Sequence, residues 1–137
     1  MFLLITCTTL GIATIIFALI VHLSLPGWRF FSGLRAFPES RWDSIRIPQL
    51  RRRISLVFYG VAAAFLLGAL LLAAKALSPT VIYLALPLVI LAGIDGVWFL
   101  YRFYDSNTYS PEVKRATRVL FFLVNASFAV FYLVLLV

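Results

Sequence analysis

Four polar or ionisable side chains, one from each of four long apolar runs, are the candidates for chemistry in this sequence. A polar group surrounded by hydrocarbon is unfavourable, so each of them is a candidate for a functional role. The carboxyl group of Asp95 is the most costly, at about 3 kcal/mol near the centre of a membrane helix. The four residues are His22, Tyr59, Asp95 and Asn125.

Three kinds of chemistry fit these side chains. Asp95 and the single histidine, His22, could share a proton or hold a cation. Alternatively, the four groups form hydrogen bonds that fix helix packing or join a partner subunit. The third alternative is a site for a lipid headgroup or a cofactor, such as a pigment or haem ligated by His22; a bis-histidine haem is excluded within one chain. Bound lipid is expected, and no cofactor is predicted.

Motifs typical of enzymes are missing. The sequence contains no glycine-rich phosphate loop and none of the motifs HExxH, GxSxG or CxxC. One histidine and five acidic residues provide few of the side chains that active sites use. The single cysteine, Cys7, allows no intrachain disulfide and no thiolate metal cluster. We therefore expect neither an enzyme nor a metal site.

Four apolar runs must position the polar side chains. They cover residues 2–25, 54–76, 80–101 and 119–137, and each is close to the ~20 residues that cross a ~30 Å hydrocarbon core. The chain is 64% hydrophobic, and its runs lack the polar stripe that a soluble bundle shows at a 3.6-residue period. The sequence predicts an all-α integral membrane protein, a single domain over residues 1–137 with four transmembrane helices.

Every lysine and arginine except Lys75 lies in two gaps, residues 26–53 and 102–118. Basic loops remain in the cytoplasm, so both gaps are predicted to be cytoplasmic and both chain ends to face outward. Anionic lipids, rather than nucleic acid, then explain the net charge of +7. A bacterial or archaeal plasma membrane is favoured, with an organellar inner membrane as the alternative. The side chains expected at the lipid headgroups are Trp28, Arg29, Trp42, Arg51, Arg52, Arg53, Arg102, Lys114, Arg115 and Arg118.

This topology places the four polar side chains at one depth. Each lies six or seven residues from a tryptophan or arginine at the cytoplasmic boundary of its span. At a rise of 1.5 Å per residue, that separation is about 10 Å. We therefore predict one shared polar layer, to which each helix contributes one side chain.

The gap 26–53 has a pattern of its own. Trp28, Phe31 and Leu34 recur at helical spacing, and Trp42 and Ile45 follow further on. This pattern predicts a short amphipathic segment between spans 1 and 2 that lies in the plane of the headgroups, with its arginines reaching phosphate. A docking surface for a partner subunit and a regulatory lipid sensor are the alternatives.

Small residues mark two helix faces. Gly60, Ala64 and Gly68 form a small-xxx-small ridge on the second span, and Gly93 and Gly96 flank the carboxylate on the third. Such residues let membrane helices approach closely. The ridge is predicted to be a helix–helix face, either within this chain or toward a partner.

These patterns together predict a non-catalytic accessory or structural subunit of a larger membrane complex. It would pack through its spans and its basic loops against other membrane subunits or against a second copy of itself. The alternative is a small oligomeric transporter or channel in which Asp95, with His22, is the proton or cation site.

Overall fold

The computed structural model describes residues 1–136, and the last position of the predicted span 119–137 lies outside the described residues. The described chain is helical, with two 3-10 turns at Leu34–Ala36 and Glu39–Ser44. Within residues 1–136, the only β-type pairing is an isolated antiparallel bridge between Ile45 and Asp105. The helices are α1 (Phe2–His22), α2 (Trp28–Phe31), α3 (Ile47–Ala73), α4 (Pro79–Tyr104) and α5 (Pro111–Leu136).

Four of these helices, α1, α3, α4 and α5, are long and apolar enough to cross a membrane. This finding confirms the prediction of four apolar spans in an all-α protein and indicates a multi-pass membrane protein. Each span is at least as long as the ~20 residues that hydrocarbon thickness requires.

Proline marks the start of three spans. Pro79 and Pro111 open α4 and α5, and Pro48 lies in the first turn of α3. Proline is favoured there because the first N–H groups of a helix have no intrahelical acceptor. Ser78 caps α4, since its Oγ accepts a hydrogen bond from the backbone N–H of Val81 at 3.4 Å. With α3 beginning at Ile47, the basic residues 51–53 lie on a helix and not in a loop.

The chain divides into two compact units, Met1–Ser106 and the part that begins at Asn107. In the first unit, α3 packs against both α1 and α4. Small residues allow these helices to approach closely. A Cβ atom added at Gly11 of α1 would lie 2.6 Å from Leu66 Cδ2 of α3, and one added at Gly93 of α4 would lie 2.9 Å from Val61 Cγ2 of α3.

The second unit consists of the loop from Asn107 and α5. Ser110 caps α5 by accepting a hydrogen bond from the N–H of Val113 at 3.4 Å. Glu112 follows in the first turn, outside the predicted span, where the helix dipole favours an anion. Hydrogen bonding with the Ser110 side chain and with the backbone lowers the pKa of the Glu112 carboxyl group.

Candidate functional site

The segment between α1 and α3, residues 23–46, folds onto the ends of the helices in the first unit; we call it the cap. It contains α2 and both 3-10 turns. Leu34 and Ile45 of the cap are only 1% and 5% exposed, and they form one core with Val21, Leu50 and Ile54. Two apolar residues of the predicted amphipathic segment are therefore buried in protein.

The predicted helical run through Trp28, Phe31 and Leu34 is interrupted in the cap. The helix α2 ends at Phe31, and Gly33 follows with a φ of 78°. A left-handed backbone of this kind favours glycine, because glycine has no Cβ atom to clash. The turn at Gly33 directs Leu34 into the core, so helical spacing alone does not describe how this segment folds.

Side chains of α4 attach the cap to the rest of the unit. The Tyr101 hydroxyl group donates a hydrogen bond to the carbonyl oxygen of Ser32 at 2.7 Å. The ring of Phe37 stacks on the ring of Tyr101, with centroids 5.0 Å apart. Since Ser32 is buried, its carbonyl group would be costly to leave without a partner.

Backbone hydrogen bonds connect the cap to the residues that follow α4. The N–H of Arg46 donates to the Tyr104 carbonyl at 3.2 Å, and the N–H of Ser106 donates to the Ser44 carbonyl at 3.1 Å. The Ser106 hydroxyl group donates to the same Ser44 oxygen at 2.6 Å. These bonds surround the Ile45–Asp105 bridge. The two basic gaps of the sequence thus meet at one place in the fold.

Arginines and tryptophans predicted at the headgroups form a cluster on the cap. The guanidinium carbon of Arg29 lies 4.8 Å from the ring centroid of Trp42 and 5.9 Å from that of Trp28. Arg51 of α3 lies 5.7 Å from the Trp28 centroid and also donates a hydrogen bond to Ser24 Oγ. Each cation–π contact at an exposed site contributes about 0.5–1 kcal/mol. Contact of this cluster with lipid stays a prediction.

Other predicted headgroup residues lie elsewhere. Arg102 covers the ring of Trp98 at 5.5 Å. Lys114, Arg115 and Arg118 are exposed on the first turns of α5. Arg52 and Arg53 line a cavity of about 470 Å³ between the beginning of α3 and the end of α4, together with Arg46, Gln49, Leu56, Phe103 and Tyr104.

His22 and Tyr59, two members of the predicted polar layer, meet at the junction of α1 and α3. Their ring centroids are 6.2 Å apart in an edge-on arrangement. His22 Nδ1 lies 3.3 Å from Ser55 Oγ, whose hydroxyl group donates to the Arg52 carbonyl at 2.8 Å. Because the serine hydrogen is used in that bond, Ser55 Oγ accepts from His22, and Nδ1 carries the proton. This arrangement can hold α1 against α3.

Asp95 lies on α4 between two glycines that approach α3. Gly93 and Gly96 turn toward Val61 and Val57 of α3. At 100° per residue, the side chain of Asp95 projects about 160° from Gly93 and about 100° from Gly96 around α4. A pairing of Asp95 with His22 stays a prediction.

Asn125 belongs to the second unit. Its side-chain amide donates a hydrogen bond to the Phe121 carbonyl, one turn earlier in α5, at 3.1 Å. Whether the four polar side chains form one functional layer stays a prediction.

The predicted small-residue contacts differ from one another. Gly93 and Gly96 lie at close approaches to α3, and Gly68 faces Ile82 of α4, with an added Cβ 3.8 Å from Ile82 Cγ2. Gly60, in contrast, has nothing within 4 Å of an added Cβ among the described atoms, and Ala64 is half-buried. The ridge therefore makes an intrachain contact at Gly68 and is open at Gly60.

Sequence reasoning missed Gly11, which makes a close contact with Leu66. The signal was present, since Gly11 is the one glycine in the first apolar run, residues 2–25. It also missed the cavity, because its arginines come from the end of the cap and the start of α3, while its aromatic residues come from α4.

Within residues 1–136, no group of three or more His, Cys, Asp or Glu side chains is arranged to hold a metal ion. Comparison of the chain with protein-family models, with curated proteins and with solved structures gave no match. The function must therefore be argued from the residues and their geometry alone.

Proposed function

We propose that this protein is a non-catalytic structural subunit of a larger membrane complex, and that α3 contacts a partner helix through the face that contains Gly60. The observation that carries this proposal is the open space around Gly60. A glycine inside a helix is less stable than alanine by about 0.5–1 kcal/mol. Close approach of another membrane helix is the usual reason for a small residue at such a position.

The packing of the first unit supports a structural role over transport. The Gly11–Leu66 and Gly93–Val61 approaches leave no space for a pathway between α1 and α3 or between α3 and α4 at those levels. The ring of His22 lies within hydrogen-bond distance of Ser55 Oγ of α3, which fits a role in packing α1 against α3. The alternative function, a small oligomeric transporter or channel that uses Asp95 with His22, has less support from this geometry.

The experiment is a native gel of mildly solubilised membranes that contain the tagged chain. The expected result is a discrete band well above the 15.4 kDa chain, with another membrane polypeptide or a second copy at fixed stoichiometry. Gly60→Leu is expected to remove this band, because the larger side chain keeps the partner helix at a distance. Ala126→Leu, at an exposed small residue of α5, is the matched control and is expected to retain it.

Transport is tested in parallel with purified protein in proteoliposomes. If the chain migrates alone and dissipates a proton or cation gradient, and if Asp95→Asn abolishes that flux, the structural proposal fails. If Gly60→Leu and Ala126→Leu both retain the larger band, Gly60 is not at the contact face.

We further propose that both basic gaps lie in the cytoplasm and both ends of the chain outside, since basic loops are retained on that side. Single cysteines at Ser40 in the cap and at Ala76 between α3 and α4 test this topology with a membrane-impermeant reagent. Both positions are exposed, and the native Cys7 is buried. Labelling from opposite sides is expected, and labelling of both from one side would overturn the topology.

A further inference from the structure

The cavity between α3 and α4 has an unusual concentration of positive charge. Three arginines are among the residues that line it, Arg46, Arg52 and Arg53. All three residues are exposed, and none has an acidic partner within 4.0 Å in the described part of the chain. None of the described lining residues is acidic. Like charges that converge without counter-ions provide a favourable site for an anion.

The chemistry of arginine narrows the choice of anion. A guanidinium group presents its N–H donors in a planar fork that matches the oxygens of a phosphate. Gln49 adds an uncharged side-chain amide to the same wall. The cavity volume of about 470 Å³ falls within the range typical of small-molecule sites.

The apolar part of the lining indicates that the anion carries a hydrocarbon chain. Leu56 lies one turn further into the predicted span than Arg52, and its side chain is 52% exposed. Phe103 of α4 is 79% exposed on the cavity wall. An amphiphile with an anionic head and an apolar tail would cover both the arginines and these side chains.

A backbone hydrogen bond connects the two sides of the cavity. The N–H of Arg46, the residue before α3, donates to the carbonyl of Tyr104 in α4 at 3.2 Å. This bond keeps the start of α3 beside the end of α4, so the arginines and the aromatic residues of the lining lie near one another.

We propose that this cavity binds the phosphate headgroup of an anionic membrane glycerophospholipid, with its acyl chain against Leu56. This goes beyond the proposed structural role, which concerns a protein partner at Gly60. It also differs from general attraction of the basic gaps to an anionic surface, because it requires these particular arginines.

Native mass spectrometry of the purified full chain, from nanodiscs that contain phosphatidylglycerol and phosphatidylcholine, tests the proposal. The wild type is expected to retain phosphatidylglycerol in preference to phosphatidylcholine. The double variant Arg52→Gln/Arg53→Gln is expected to retain it at least about tenfold less, which corresponds to ~1.4 kcal/mol. Circular dichroism checks that the variant remains helical.

The matched control is Arg35→Gln/Lys75→Gln, which removes the same charge from two exposed residues that do not line the cavity. This control is expected to retain phosphatidylglycerol like the wild type. Equal losses of phosphatidylglycerol from both variants would mean that general attraction to positive charge, and not this cavity, retains the lipid. Unchanged retention by Arg52→Gln/Arg53→Gln would mean that the lipid does not bind at these arginines. Either result overturns the proposal.

Two further measurements complete the test. One distinguishes a lipid phosphate from a free phosphate compound, and the other uses a second variant in case the first does not fold. Soluble glycerol 3-phosphate is expected not to displace the lipid, and displacement would identify a site for free phosphate compounds instead. If Arg52→Gln/Arg53→Gln does not fold, Arg46→Gln tests the same wall. Its backbone N–H can still bond to Tyr104, and it is expected to reduce phosphatidylglycerol retention, whereas unchanged retention would contradict the proposal.

Discussion

The two ends of the first unit are built differently. At the basic end, the buried residues Val21, Leu34, Ile45, Leu50 and Ile54 are surrounded by aromatic rings. At the opposite end, the buried cluster consists only of Cys7, Ala69 and Ile82, with leucines packed around it. The buried cluster at the basic end is therefore the larger of the two and the more similar to the core of a soluble protein.

The solvent explains this difference. Inside hydrocarbon, helices gain no hydrophobic free energy by associating, so they depend on close van der Waals packing. The cap follows the end of a span, where water is available, and burial of its apolar side chains is driven by the hydrophobic effect. Each fully buried leucine in such a core contributes about 1.5–3 kcal/mol. The two ends should thus respond differently to the same kind of substitution.

The largest difference is expected for leucine truncation. Leu34→Ala leaves a cavity in the core of the basic end and is expected to lower the free energy of unfolding by about 2–5 kcal/mol. Leu72→Ala, at a half-buried leucine of the opposite cluster, is expected to lower it less. Both variants are purified in the same mild detergent and unfolded by titration with a denaturing detergent. Their free energies of unfolding are then compared. Equal effects would show that the two ends are stabilised in the same way.

A smaller effect is expected for crowding in the half of α1 remote from the cap. Gly11→Ala places a Cβ 2.6 Å from Leu66 Cδ2 and is expected to lower the free energy of unfolding by about 1–3 kcal/mol. The matched control, Gly60→Ala, meets nothing within 4 Å and is expected to be neutral or slightly stabilising in the isolated chain. The same titration measures both, and a neutral Gly11→Ala would contradict the close packing of α1 on α3.

The smallest effect is expected for a single hydrogen bond to the cap. Tyr101→Phe removes the donor to the buried Ser32 carbonyl and is expected to lower the free energy of unfolding by about 1 kcal/mol. Tyr83→Phe, at an exposed tyrosine near the other end of α4, is the control and is expected to have no effect. In the Tyr101→Phe variant, faster protease cleavage within the cap would show that the lost stability is in the cap. The Tyr83→Phe variant is expected to be cleaved like the wild type.

The spans were predictable because their signal is local. Apolar runs of sufficient length, proline in the first turns of α3 and α4, and the small residues Gly93 and Gly96 indicated elements that the structure contains. The ridge as a whole stays a prediction: Gly68 meets α4, while a Cβ added at Gly60 meets no described atom within 4 Å. A small-residue pattern identifies a face of a helix but not what lies opposite each residue.

The fold of the cap could not be predicted in this way. Its contacts join residues that are far apart in sequence, such as Ser32 with Tyr101, 69 positions later, and Ser44 with Ser106, 62 positions later. Helical spacing in the gap 26–53 indicated amphipathic character but contained no information on these partners. For the same reason, the sequence did not indicate the cavity, because its lining comes from two parts of the chain that are distant in sequence.

The connection between Ser44 and Ser106 has a consequence for the order of events during synthesis. The ribosome makes α1, the cap and α3 well before residue 106, so the cap is first exposed with this attachment missing. Until α4 has been made, the Ser44 carbonyl lacks both of its hydrogen bonds from Ser106. The cap therefore reaches its final hydrogen-bonded form only after α4 is complete.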